Sequence, residues 1–229
     1  MGRSSPIMRY IFIVFLLISF LVGCATDNNV KPKEKTPEEL LAEGIAKHEN
    51  GDYSGAIEVL QTIKDRYPYS KAAVTAELKI ADSYYEGLGF DSNYDGTFDA
   101  YDEYEKLHPK DKNIPHVMYR KGMCHFKQIS TMDRDQTHTR SAKEEFERLV
   151  KRFPEDDYAQ KAREKIRECL IKLAEHELYV GHFYYKMEKY GPAMERYMFI
   201  IKNYPDMGQY HEALEYISIC KQKLAEKVE

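Results

Sequence analysis

One interval recurs four times along this chain. Ala56 to Pro68, Thr97 to Pro109, Ala142 to Pro154 and Ala193 to Pro205 are each 12 positions apart. A proline cannot continue a helix, and it pushes the residue before it out of the α region. A small residue upstream marks where the helix lies close against a neighbour. Between the two, apolar residues recur three or four apart, as in Ala193, Tyr197 and Ile200, the spacing of one face of an amphipathic helix. In the last unit Gly181 and Tyr184 precede a break near Glu188–Lys189, and the pattern resumes from Tyr190 to Pro205. The repeating unit is therefore a hairpin of two short helices.

The internal spacing resembles that of a tetratricopeptide repeat, with a small residue at position 8, Ala at 20, an aromatic at 24 and Pro at 32. In the first unit Leu40, Gly44, Gly51, Tyr53, Ala56, Leu60, Ile63 and Pro68 fall at positions 4, 8, 15, 17, 20, 24, 27 and 32. Thr36-Pro37-Glu38-Glu39 opens it with the signature of a capping box, and Asn50-Gly51-Asp52 makes the turn. The second unit has Ala81 and Tyr84 on its first helix and Thr97, Tyr101 and Tyr104 on its second, with about four extra residues from Gly87 to Gly96. The third has Gly122, Ala142, Phe146, Leu149 and Pro154, with an insertion of about eight. A long helical run from Asp157 to about Lys189 precedes the fourth. A single helix, Gln209 to about Lys227, closes the chain with Lys221, Lys223, Glu226 and Lys227 as the polar cap that a solenoid needs. The expectation is an all-α tetratricopeptide-repeat solenoid of about four to five helix hairpins over residues 37–229.

The N-terminus reads differently. Arg3 and Arg9 give a positive start, and Tyr10 to Phe20 is a largely apolar run, too short for a comfortable membrane span. It ends in Leu21-Val22-Gly23-Cys24, which resembles the bacterial lipobox, in which the Cys is acylated and becomes the new N-terminus. Residues 1–23 are thus expected to be a lipoprotein signal peptide, Cys24 the lipidation site and 24–36 a flexible tether rich in polar residues. Ala25, rather than Asp, points to the periplasmic face of the outer membrane. Several acyl chains would anchor the protein stably. The formal net charge of −4 becomes −6 once Arg3 and Arg9 are removed, and nothing in that favours nucleic acid. Three cysteines remain, Cys124, Cys169 and Cys220, all within helical patterns. They read as buried thiols acting as small hydrophobes, with one intramolecular disulfide as the alternative.

Several stretches are more specific than the repeat. They are the lipobox, Tyr67-Pro68-Tyr69, Pro115-His116-Val117-Met118-Tyr119-Arg120-Lys121-Gly122, Asp133-Arg134-Asp135, and Ala174 to Tyr185. Together they resemble the BamD family, the tetratricopeptide lipoproteins of the outer-membrane β-barrel assembly machine, over roughly residues 20–220. The resemblance implies five repeats, no enzymatic activity and docking of the C-terminal half to the barrel protein BamA. It also implies contact with accessory Bam lipoproteins, and reading of the C-terminal strand of unfolded barrel substrates by the N-terminal half. Arg196 matches a family Arg used in docking. The sequence departs in having Gln136 where a Pro is expected, a shorter third-repeat insertion, and one helix in place of a fifth hairpin.

A solenoid of hairpins offers a groove for extended or helical peptides, and Tyr53, Tyr84, Tyr85 and Tyr119 are candidates for lining it, repeat-core packing being the alternative. Asp91, Asn93, Asp95, Asp99 and Asp102 fit the spacing of a calcium loop around Gly96; an Asx-rich turn with an Asp N-cap is the alternative. His176 and His182 are six apart and cannot share a metal on one helix face. Asp133, Arg134, Asp135 and His138 are a charge cluster that suits either a partner or a self-braced loop. No phosphate loop, nucleophile elbow or zinc Cys pair is present, so an enzyme has no support in the sequence. The competing readings are another outer-membrane lipoprotein of this repeat type, such as a pilus-secretin pilotin, and a periplasmic regulator of cell-wall synthesis.

Overall fold

In the computed structural model, which describes residues 34–87 and 94–227, helix follows helix. The expected signal peptide, Cys24 and most of the tether lie outside the described residues, as do Asp91 and Asn93. Residues 36–229 form one unit. Its helices are α1 (Pro37–Glu49), α2 (Tyr53–Arg66), α3 (Lys71–Gly87), α4 (Tyr94–Leu107), α5 (Ile114–Phe126), α6 (Thr137–Arg152), α7 (Asp157–Lys186), α8 (Tyr190–Asn203) and α9 (Tyr210–Glu226). Pairs α1/α2, α3/α4, α5/α6 and α7/α8 are antiparallel neighbours, and α9 packs on α8. Four hairpins and a closing helix therefore stand among the described residues.

Local chemistry sets each boundary. Thr36 accepts from the Glu39 amide while the Glu39 carboxylate accepts from the Thr36 amide, a complete capping box. Gly51 turns the chain between α1 and α2 at φ 78°, a region open to glycine. Asp52 and Asp156 cap α2 and α7 through their side chains. The break between α7 and α8 falls at Glu188, which takes φ 56° without being glycine.

The core follows the predicted register. Ala56, Leu60 and Ile63, then Tyr101 and Tyr104, Ala142, Phe146 and Leu149, and Ala193, Tyr197 and Ile200 are all buried. Where position 8 is glycine, position 24 fills the space: an added Cβ would meet Leu60 from Gly44 at 2.5 Å, Phe146 from Gly122 at 2.5 Å and Tyr197 from Gly181 at 2.6 Å. Helix α7 is 30 residues long; its first half belongs to the core of the second and third hairpins, through Ala162 and Cys169, and its second half, from Leu178, to the last. Cys124, Cys169 and Cys220 are buried free thiols, and burial pushes the first two up to about 12.

Candidate functional site: the junction of the second, third and fourth hairpins

Helix α5 organises this junction. Val117, Met118 and Gly122 face the core, while His116 and Arg120, four apart, share a face turned towards α3. His116 Nε2 lies 2.9 Å from Asp82 Oδ1, and its Nδ1 lies 3.0 Å from the Tyr158 hydroxyl of α7. Tyr101 of α4 donates to the same carboxylate at 2.8 Å, and Lys79 approaches it at 3.3 Å. Asp82 and His116 together thus join three hairpins. Burial opposes its ionisation, but hydrogen bonding and charge from His116, the Tyr101 hydroxyl and the charge of Lys79 outweigh that and hold the carboxyl at about 2. One turn further, Arg120 donates to Glu86 at 2.7 Å and lays its guanidinium over the Tyr85 ring at 4.2 Å. Beside this ladder opens a cleft of about 340 Å³ lined by Thr75, Lys79, Lys112, Asn113, Asp156 and Tyr158, among others. Its walls supply donors and acceptors of both signs, as a polypeptide backbone requires of a binding surface.

Lys121 turns the other way and is 2% exposed. Its ammonium donates to Asp102 at 2.5 Å and to Glu105 at 3.1 Å. Arg148 of α6 grips Glu105 through two hydrogen bonds, at 2.7 and 2.9 Å, and Arg152 adds a third at 3.0 Å. Burial works against an ionised Glu105, yet Arg148 and Lys121 keep its carboxyl below the usual range.

The four candidate tyrosines do not converge. Tyr84 lies in a different cleft, of about 170 Å³, with Gln61, Lys64, Glu77 and Glu103, between α2, α3 and α4. Tyr85 sits under Arg120. Tyr119 packs between the Phe146 and Tyr158 rings. Tyr53 is half-buried, edge-on to His48. Of the four, only Tyr85 joins the Asp82–His116–Arg120 ladder. The one sign of the ladder that the sequence carries is the i, i+4 spacing of His116 and Arg120; its acidic partners lie 34 residues upstream, where spacing alone does not find them.

The calcium-loop pattern runs into α4, with Asp91 and Asn93 outside the described residues. The helix begins at Tyr94, so Asp95, Asp99 and Asp102 lie on helical backbone where the calcium loop needs an open turn around Gly96. Asp102 is engaged by Lys121 and by Lys106, each at 2.5 Å, and Asp95 accepts from Gln128 at 3.2 Å. No group of three or more His, Cys, Asp or Glu among the described residues is placed to hold a metal. His176 and His182 go separate ways: His176 meets the Met132 carbonyl at 2.6 Å, and His182 bridges Tyr197 and Glu212.

The stretch Thr131–Gln136 is braced from within. Gln136, 2% exposed, donates to the carbonyls of Thr131 and Arg134 and accepts from Thr139. Asp133 and Asp135 bond locally, to Thr131 and to the Thr137 amide. The self-braced reading of this charge cluster is what the geometry displays. Arg196, on α8, is exposed and pairs with Glu177 of α7 at 3.1 Å. Tyr179, Phe183, Met198 and Phe199 of the same hairpin are exposed too.

These hairpins, their glycine-to-aromatic contacts and their polar junction define a tetratricopeptide-type repeat protein. The chain belongs to the YfiO family, described as outer membrane lipoprotein, whose model matches residues 33–229. It is similar to the outer membrane protein assembly factor BamD of Vibrio cholerae, 27% identical over 214 residues, covering 87% of this chain and 85% of that protein. The BamD of Neisseria meningitidis serogroup B is 27% identical over 232 residues, covering 95% and 85%. Among solved structures, the TPR2AB domain of yeast Sti1 in its pHSP90 complex shares 15% identity at a TM-score of 0.46, covering 82% of this chain and 70% of that one.

Proposed function

We propose that this chain is a non-enzymatic scaffold lipoprotein of the outer-membrane β-barrel assembly machinery. It is held at the periplasmic face of the outer membrane by lipid on Cys24, docks to a BamA-like barrel protein through its C-terminal half, and receives extended segments of unfolded barrel proteins. The observation that carries the reading is the similarity to BamD proteins over most of both chains. A fold that packs its titratable groups into ion pairs and leaves polar clefts between helices suits peptide binding. No helix among the described residues is long and apolar enough to cross a membrane, which is compatible with a lipid anchor. Arg196 and the exposed aromatic residues around it are the candidate docking surface, and accessory lipoproteins are further partners on this reading.

Affinity isolation of the full chain from solubilised outer membranes tests the proposal. A BamA-like barrel protein is expected to co-purify. Its absence, under conditions in which the chain itself is recovered folded, overturns the reading.

A further inference from the structure

The insertion between α5 and α6, residues 127–136, leaves and re-enters the fold beside two histidines. His125 stands in the last turn of α5 and His138 in the first turn of α6. Their ring centroids are 5.8 Å apart. Nδ1 of each is buried and meets no hydrogen-bond partner among the described residues. The Phe98 ring closes over His125 at 4.9 Å. The pair therefore joins the two stems of the insertion through apolar ring contact. The amide of Gln128 donates to the His125 carbonyl, and Gln136, two residues before His138, clamps the far end.

We propose that the His125–His138 pair is an acid-sensitive latch, closed while both rings are neutral and released on protonation, which frees the Asp133–Arg134–Asp135 segment from its braced form. Two cationic rings at this separation repel, and burial strengthens the repulsion. The charges around His125 divide evenly. Asp95 of α4 and Glu145 of α6 favour its protonation, while Lys121 of α5 and His138 of α6 oppose it. From α7, Lys165 stands over the neighbouring Phe126 ring at 4.5 Å, and Asp135 lies near both His138 and Arg140. Burial and then His138 prevail, so His125 titrates below the ordinary imidazole value. A base with a lowered folded pKa stabilises the fold fully above about 6.5 and ceases to do so as the pH falls through the folded value.

Hydrogen exchange of the full chain at pH 7.5 and pH 5.0, expressed as protection factors, tests the latch. The amides of 128–138 are expected to lose protection about tenfold or more at pH 5.0, while those of α8 keep theirs. His125→Phe, which keeps a ring and removes the proton site, should abolish the difference. The proposal is overturned by unchanged protection in the native chain, by an equal loss in every helix, or by a loss that persists in His125→Phe. Should that variant not fold, the native chain decides by NMR: His125 titrating at or above the ordinary value refutes the latch, and titration below it supports it.

Discussion

Gly181 lies so close to the Tyr197 ring that an added Cβ would come within 2.6 Å of it. Tyr197 is fully buried, ringed by His182 and Tyr216, and has no room to withdraw. Alanine favours a helix over glycine by about 1 kcal/mol, yet overpacking a filled core costs about 1–3 kcal/mol. Gly181→Ala is expected to destabilise the protein by up to about 2 kcal/mol in urea unfolding. Gly191→Ala, with nothing within 4 Å, should leave stability unchanged or raise it by several tenths of a kcal/mol, about the helix-propensity gain alone.

Lys121 neutralises a group of carboxylates it cannot leave. With its side chain 3% exposed and Asp102, Glu105 and Glu145 within 4.0 Å, Lys121→Met keeps the bulk and strands the acids. Removing one partner of a buried ion pair costs about 3–5 kcal/mol; Arg148 and Arg152 still serve Glu105, which places the expectation at about 3 kcal/mol. The double variant Lys121→Met, Asp102→Asn should recover part of the loss. A double-mutant cycle by denaturant unfolding measures the coupling, and strict additivity would deny it.

The parts of this fold that sequence made visible are those fixed by local rules. The proline stops, the Thr36 capping box and the small-to-large pairing of Gly44 with Leu60 each depend on residues within one hairpin, and each appears in place. The single run from Asp157 to about Lys189 was visible because it has no Pro, and no Gly before Gly181; the helix itself ends at Lys186. The junction was not visible. Asp82, at an interior position of an apolar helix, acquires its role only when Tyr101 and His116 arrive from two other helices, with Tyr158 behind His116 from a third. The calcium-loop pattern is constrained for a related reason: five residues of suitable type describe a loop only where the backbone is free to turn, and the repeat commits Tyr94 onwards to a helix whose Thr97, Tyr101 and Tyr104 are needed in the core. The four tyrosines do not share one face, since adjacent residues such as Tyr84 and Tyr85 point about 100° apart on a helix.

Asp82 carries a pH signature. Its folded carboxyl sits at about 2 against an ordinary value near 3.9. Its stabilising contribution is complete above the unfolded value and disappears as the pH falls from about 4 to about 2. The size follows from the shift, about 2.5 kcal/mol. Asp82→Asn should therefore lower stability at pH 7 by about that amount and flatten the acid limb of the stability curve between pH 4 and pH 2. Urea unfolding across that range, native against variant, provides the check; parallel acid limbs would show that another carboxylate is responsible.

Arg196 separates docking from folding. It is exposed, with its partner Glu177 across the α7/α8 hairpin at 3.1 Å, and exposed ion pairs contribute about 0–1 kcal/mol. Arg196→Glu should therefore change unfolding by no more than about 1 kcal/mol, the repulsion with Glu177 included. On the proposed docking role, the same substitution places a carboxylate where a partner expects a guanidinium, and like charges at an interface cost several kcal/mol. Recovery of the barrel protein in affinity isolation should then fall tenfold or more, while the unfolding midpoint scarcely moves. If the variant recovers the partner as well as the native chain does, docking does not run through Arg196, and the exposed Phe183 and Phe199 of the same hairpin become the residues to replace.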